Sequence, residues 1–143
     1  MSVLEHFQSL YSHLTMVTPE DLEKVYSTDV FFEDPIDVHR GIEEVKAYFS
    51  RLTKEATRCE FDIHVIARCE KNSDNLDYLV NWTMHLTLNR SDKVIVLPGT
   101  TQLKVRDDKI CYHKDYYDLG TMVYEHIPVL GWIVKKIKAK LSS

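Results

Sequence analysis

The sequence predicts an α+β fold, a cone-shaped curved antiparallel sheet wrapped around N-terminal helices, with an extra C-terminal amphipathic helix. Three observations predict it. Apolar residues recur at three- and four-residue spacing through residues 3–52. From residue 57 onward the apolar period falls to two, in four long segments divided by turn residues. Residues 130–141 then return to helical spacing, with lysines around an apolar stripe.

The elements follow in order. Leu4, Phe7, Tyr11 and Leu14 share one face of a first helix. Thr18-Pro19-Glu20-Asp21 opens a second, with Thr18 as N-cap, Pro19 at the first helical position and two acids at the positive end. That helix ends near Tyr26. Val30 to Phe32 make a short strand that Pro35 stops. Gly41 precedes a third helix carrying Val45, Tyr48, Phe49 and Leu52. Phe61, Ile63, Val65 and Ala67 alternate with polar residues in a half-buried strand. In the next strand Tyr78, Val80, Trp82, Met84, Leu86 and Leu88 face one side, and Asn81, Thr83, His85, Thr87 and Asn89 the other. Residues 89–92 turn the chain into Val94 to Val105, where Pro98-Gly99 suggests a bulge or bend. Asp107-Asp108-Lys109 is a tight turn into Ile110 to Asp118. A single sheet this long twists and curls, and the wide end of such a cone leaves a pocket.

Length and composition fit this outline. The 143 residues suffice for one domain with a true core, 44% hydrophobic and 28% charged. Residues 1–125 are expected to form the cone, with residues 126–143 attached to it. The formal charge of −4 leaves no whole-molecule basic field for nucleic acid. Four lysines fall among the last nine residues; without them 14 bases face 22 acids, a body charge of about −8. Cys59, Cys69 and Cys111 cannot all pair and show no metal spacing, which fits free thiols in a reducing compartment. His6, His13, His39, His64, His85 and His126 form no metal-ligand pattern, so no metal is expected and these histidines are read as surface or structural. The first residues carry no basic region followed by an apolar run, and no window is apolar enough to span a membrane. A cytoplasmic protein is the expectation.

Two segments carry a resemblance. Phe31-Phe32-Glu33-Asp34-Pro35, followed by His39, Arg40 and Gly41, resembles the strand-to-helix junction of ketosteroid isomerases. His113-Lys114-Asp115-Tyr116-Tyr117-Asp118-Leu119-Gly120 is similar to the last-strand motif of SnoaL-like cyclases and limonene-type epoxide hydrolases. Both groups belong to the nuclear transport factor 2-like superfamily, and the resemblance covers residues 1 to about 122. It implies the cone fold, a small apolar molecule as ligand, no cofactor and a homodimer.

The resemblance also implies site residues. Asp34 matches the proton-moving aspartate of the isomerases and, by alternation, shares a face with Phe32; otherwise Asp-Pro ends a strand and starts a turn. Asp115 matches a catalytic aspartate of the hydrolases and cyclases. Alternation puts His113 and Tyr117 on its face, so His113 can share a proton or hold a water. Tyr11 falls near the isomerases' oxyanion-hole tyrosine, or is an ordinary core tyrosine on the face of Phe7. Thr101 falls near the isomerases' second, protonated aspartate. The hydrolases' arginine and first aspartate fall on the strand of Val80 to Thr83, which carries neither. Trp82 and Met84 line the pocket or pack the core.

The last segment admits two readings. Leu130, Ile133, Val134, Ile137 and Leu141 form the stripe, flanked by Trp132. Such a helix covers its own domain or a partner with snorkelling lysines, or lies on an anionic membrane surface. Three functions therefore compete: a cofactor-free proton-transfer enzyme (isomerase, cyclase, dehydratase or hydratase), a non-catalytic ligand-binding or dimerisation module, and a membrane-surface protein.

Overall fold

The computed structural model describes residues 2–89, 93–122 and 128–142, with side chains of the last segment described from residue 135 onward. Helix α1 (Val3–Ser12) is capped by Ser2, whose hydroxyl accepts from the Glu5 amide at 3.2 Å. It buries Val3, Phe7, Leu10 and Tyr11, the one-face spacing of an amphipathic helix. A single 3₁₀ turn, Leu14–Met16, leads to α2 (Pro19–Val25). There Thr18 and Asp21 form a reciprocal capping box, with Pro19 at the start.

Strand β1 (Tyr26–Glu33) follows α2 directly and is longer than the sequence suggested. Its inward residues are Tyr26, Val30 and Phe32; Thr28 between them is exposed, where pairing with the neighbouring strand is irregular between Tyr26 and Phe31. That irregularity hides the period of two in its first half. A three-residue strand, β2 (Val38–Arg40), pairs with β1 and sets His39 opposite Phe32. It is too short to show a period. Gly41, at φ 85°, then begins α3 (Ile42–Glu55), whose buried face is Ile42, Val45 and Phe49. The left-handed backbone there favours glycine.

The remaining strands are β3 (Ala56–Arg68), β4 (Tyr78–Leu88), β5 (Val94–Arg106) and β6 (Lys109–Tyr117). Two helices close the described chain, the single-turn α4 (Leu119–Met122) and the longer α5 (Pro128–Ser142). The sheet order is β2-β1-β6-β5-β4-β3. Every pairing is antiparallel except β1 with β6, which is parallel. The expected antiparallel sheet thus carries one parallel seam. Parallel neighbours need a long connection, and here most of the domain lies between the two strands. Helices α1 and α3 pack into the concave face, and the core lies between them and the inward rows of β1 and β3–β6.

Three local details differ from the sequence pattern. In β3 a bulge falls at His64, between the pairs Ile63–Trp82 and Val65–Asn81. One extra residue reverses the alternation, so Val65 turns outward and Ile66 packs on the core. In β6 a shift between Ile110 and Tyr112 puts His113, Asp115 and Tyr117 inward. Pro98-Gly99, expected to bend β5, keeps regular register opposite Thr83 and Trp82. Pro98 is tolerated because the ladder to β6 begins only at Gly99. Asp107 and Asp108 both have positive φ, the two-residue hairpin turn that matches sheet twist.

In α5, Ile137 and Leu141 are exposed. The side chains of Leu130, Trp132, Ile133 and Val134 lie outside the described residues. No described helix is long and apolar enough to cross a membrane.

Gly99 has a packing reason. A Cβ at this position would stand 2.7 Å from Cζ3 of Trp82 and closer still to Cη2. The indole is pinned by its own hydrogen bond to Thr101, so it cannot simply move aside. Gly99→Ala should destabilise the fold by roughly 1–3 kcal/mol, the usual range for overpacking. Urea unfolding followed by Trp fluorescence measures it, and an unchanged midpoint would contradict the packing argument.

Candidate active site

Where the curved sheet meets α1 and α3, a cavity of about 50 Å³ remains. Aromatic residues line most of it, among them Tyr11, Phe32, Tyr48, Trp82 and Tyr117, together with aliphatic and sulfur-bearing side chains that include Met84 and Met122. Asp115 is the one carboxylate among the lining residues. The volume holds a few small atoms rather than a drug-sized molecule, which needs roughly 300 Å³ or more. A wider cleft of about 640 Å³ lies elsewhere, between Glu23, Asp29, Arg106 and Lys109. Its charges are largely spent on one another: Arg106 grips both Asp29 oxygens at 2.6 and 2.7 Å. The smaller, aromatic cavity is where the chemistry-bearing groups converge.

Asp115 stands at one end of a buried hydrogen-bonded chain. Its Oδ1 accepts from Thr101 Oγ1 at 2.5 Å and lies 2.8 Å from His113 Nε2. Thr101 Oγ1 in turn accepts from Trp82 Nε1 at 2.7 Å. On the far side of the imidazole, His113 Nδ1 lies 3.0 Å from the Tyr26 hydroxyl. The Tyr26 hydroxyl is 2.6 Å from that of Tyr11. His113 is fully buried and its ring stacks on Phe32, centroids 4.1 Å apart. Asp115 keeps 12% of its side-chain surface accessible. Among the described residues its Oδ2 takes no hydrogen bond.

The phenols are held protonated. Burial, then the neighbouring Tyr26 and Asp115, pushes Tyr11 well above the usual phenol range. Burial does the same to Tyr26. Tyr48 rises through burial and then through the charges of Asp34 and Asp115, and Tyr117 rises for the same reasons in the same order. Burial also lifts the Cys59 thiol to about 12.

A SnoaL-like domain model matches residues 7–113. The chain belongs to the SnoaL-like domain family. Solved structures share its fold. A protein with a ketosteroid isomerase-like fold from Catenulispora acidiphila, in complex with trimethylamine, superposes with a TM-score of 0.70 at 16% identity, over 83% of this chain and 87% of that one. An LEH-like epoxide hydrolase of M. tuberculosis gives 0.65 at 17%, over 84% and 83%. A Shewanella denitrificans protein assigned as a SnoaL-like polyketide cyclase gives 0.63 at 21%, over 84% and 90%. At these identities the likeness concerns the fold. Comparison with curated proteins found no match.

Within this SnoaL-like domain the sequence-derived candidates divide into two groups. Tyr11, Phe32, Trp82, Met84, Asp115 and Tyr117 line the cavity. His113 and Thr101 stand behind Asp115 and bind it. Asp34 is 7% exposed but is not a lining residue. Its Oδ1 accepts from the Ile36 and Asp37 amides at 2.8 and 2.9 Å, the turn that Asp-Pro favours. It reaches the site only through its charge on Tyr48 and Tyr117.

Three residues have parts that sequence reasoning did not give them. Tyr26 read as a helix end, and Tyr48 as one more apolar-face residue of α3. His39 read as surface or structural, yet it is 5% exposed and stacks on Tyr48, with Nε2 buried and unpartnered among the described residues. Only the pairing of β2 with β1 turns His39 inward.

Two outcomes follow from this geometry. Thr101→Val keeps the shape but strips Trp82 Nε1 and Asp115 of a partner; it should cost roughly 1–3 kcal/mol in chemical denaturation and perturb the Trp emission. Cys59, with its thiol held protonated, should resist iodoacetamide in the native protein at mildly alkaline pH and react after denaturation. Rapid native labelling of Cys59 would contradict its burial.

Proposed function

We propose that this SnoaL-like protein is a cofactor-independent enzyme that moves a proton on a small, largely apolar molecule, with Asp115 as the base. The observation that carries this reading is one carboxylate lining a cavity of aromatic and aliphatic side chains, with Oδ1 bound and Oδ2 unbonded among the described residues. Two hydrogen bonds to Oδ1 fix the carboxylate's orientation, which a positioned general base requires. His113 and Thr101 orient it, and Phe32, Trp82, Met84 and Tyr117 shape the space around the reacting carbon. Isomerisation, cyclisation and dehydration can begin with such a step, and hydration ends with its reverse. Asp34 acts in this scheme through its charge on the neighbouring phenols.

A second reading is a binding module for a small amine. Aromatic faces around one carboxylate suit an organic cation, and the Catenulispora acidiphila relative is in complex with trimethylamine. In either reading the domain works as a homodimer through the convex sheet face. Asn81, Thr83, His85 and Thr87 lie there beside the half-exposed Val94 and Val96.

Proton transfer is read directly by exchange of α-hydrogens for deuterium. Small ketones such as butanone and cyclopent-2-enone, incubated with the protein in D₂O, should exchange faster than in buffer. Asp115→Asn should lower that rate roughly 10²–10⁴-fold while the fold is kept. If no ketone shows exchange that depends on Asp115, and trimethylammonium binds instead, the second reading replaces the first.

A further inference from the structure

The directions of the hydrogen bonds around Asp115 are not free. An indole N–H only donates, so Thr101 Oγ1 is an acceptor from Trp82. Its single proton therefore goes to Asp115 Oδ1. Read as the base, Asp115 is a carboxylate, and an unprotonated Nε2 at 2.8 Å would set two lone pairs against each other, so a neutral His113 carries its one proton on Nε2. Nδ1 is then an acceptor, and the Tyr26 hydroxyl must be its donor. Tyr26, having given its one proton, accepts from Tyr11. Two donor chains thus converge on one carboxylate oxygen: Trp82 to Thr101, and Tyr11 to Tyr26 to His113.

This polarity has a consequence for the cavity. The only hydroxyl proton of Tyr11 is committed inward, so Tyr11 offers the cavity a lone pair and no donor. Tyr48 and Tyr117 are in the opposite condition. Both line the cavity, and neither hydroxyl has a partner among the described residues. His39 Nε2 is the buried side-chain polar atom left unpartnered there, so these two hydroxyls are not sealed away.

We propose that Tyr48 and Tyr117, and not Tyr11, supply the hydroxyl donors that hold the oxygen of a bound carbonyl compound. This rests on the reading of Asp115 as base. Oδ2 takes a proton from the carbon beside the carbonyl; the C–H pair becomes a C=C bond, and the carbonyl π pair moves to oxygen. Tyr48 and Tyr117 hydrogen-bond that oxygen, and Oδ2 returns the proton to carbon. Oδ1, already accepting twice, does not carry it. Tyr26 is a positioning residue: it fixes the tautomer of His113 and turns the Tyr11 proton away from the ligand.

Two measurements test this, and neither requires turnover. In ¹⁵N-labelled protein at neutral pH, long-range ¹H–¹⁵N spectra should show His113 protonated at Nε2 and bare at Nδ1. In Tyr26→Phe, Nε2 should stay protonated and the Nδ1 resonance move downfield, as expected when its donor is removed. Protonation at Nδ1 in the wild type overturns the proposal. The second measurement uses cyclopent-2-enone labelled with ¹³C at the carbonyl, whose resonance should move downfield on binding. Tyr48→Phe or Tyr117→Phe should remove most of that shift, and Tyr11→Phe should retain it. Loss of the shift in Tyr11→Phe with retention in both other variants overturns the proposal. Where ketone exchange occurs, Tyr48→Phe should slow it roughly 10²-fold, as loss of one such donor does. If the tautomer and the shifts hold while no Asp115-dependent exchange is seen, the base has failed and the donor assignment stands.

Discussion

His113 is a fully buried imidazole in the middle of an apolar cone, and the rest of the site is arranged to satisfy it. A buried polar atom without a partner costs about 1–3 kcal/mol, and an imidazole has two nitrogens to place. One finds Tyr26 and the other Asp115, and each of those partners brings its own requirement. Tyr26 needs a second hydroxyl, met by Tyr11 on α1. The Asp115 carboxylate needs more than one donor, met by Thr101, which in turn holds the Trp82 indole. A single buried ring thereby ties together β4, β5, β6, β1 and the first helix.

Net stability does not account for such a row. Buried ionic and polar pairs are often no better than well-packed hydrophobic residues of the same volume, because desolvation offsets most of the attraction. What the row supplies is direction. Every hydrogen bond in it has a defined donor, and both branches end on the same carboxylate oxygen. The other oxygen is left unbonded among the described residues, on a carboxylate that lines an apolar, largely aromatic cavity. That combination is of use to a base and of little use to a core, which supports the functional reading.

Size sets the second constraint. A space of about 50 Å³ admits a reacting group and excludes a large ligand in the described conformation. Met122, on the short helix that follows β6, is one of its lining residues. The asymmetry between Gly99 and Trp82 serves the same end: absence of a side chain at one position lets an indole lie across β5 and reach Thr101. The SnoaL-like family provides the cone, and these side chains decide what the cavity in this one can do.

The order of the helices and long strands, the Thr18 cap, most of the strand alternation and the shared face of His113, Asp115 and Tyr117 are legible in the sequence alone. Each of these depends on residues a few positions apart, where periodicity and capping chemistry are legible. The sequence offered both Asp34 and Asp115 as candidates; an Asp-Pro junction suits a turn and a base equally well, and the fold sets Asp34 Oδ1 on the Ile36 and Asp37 amides and Asp115 on the cavity wall. Tertiary structure decided the rest. The bulge at His64 reversed half a strand, the parallel seam joined β1 to β6, and Tyr26 and His113, 87 positions apart, became hydrogen-bonded neighbours. No local pattern contains such a meeting, because it arises from how the sheet curls. The direction of each hydrogen bond, and so the identity of the phenols left open to a ligand, exists only after that meeting.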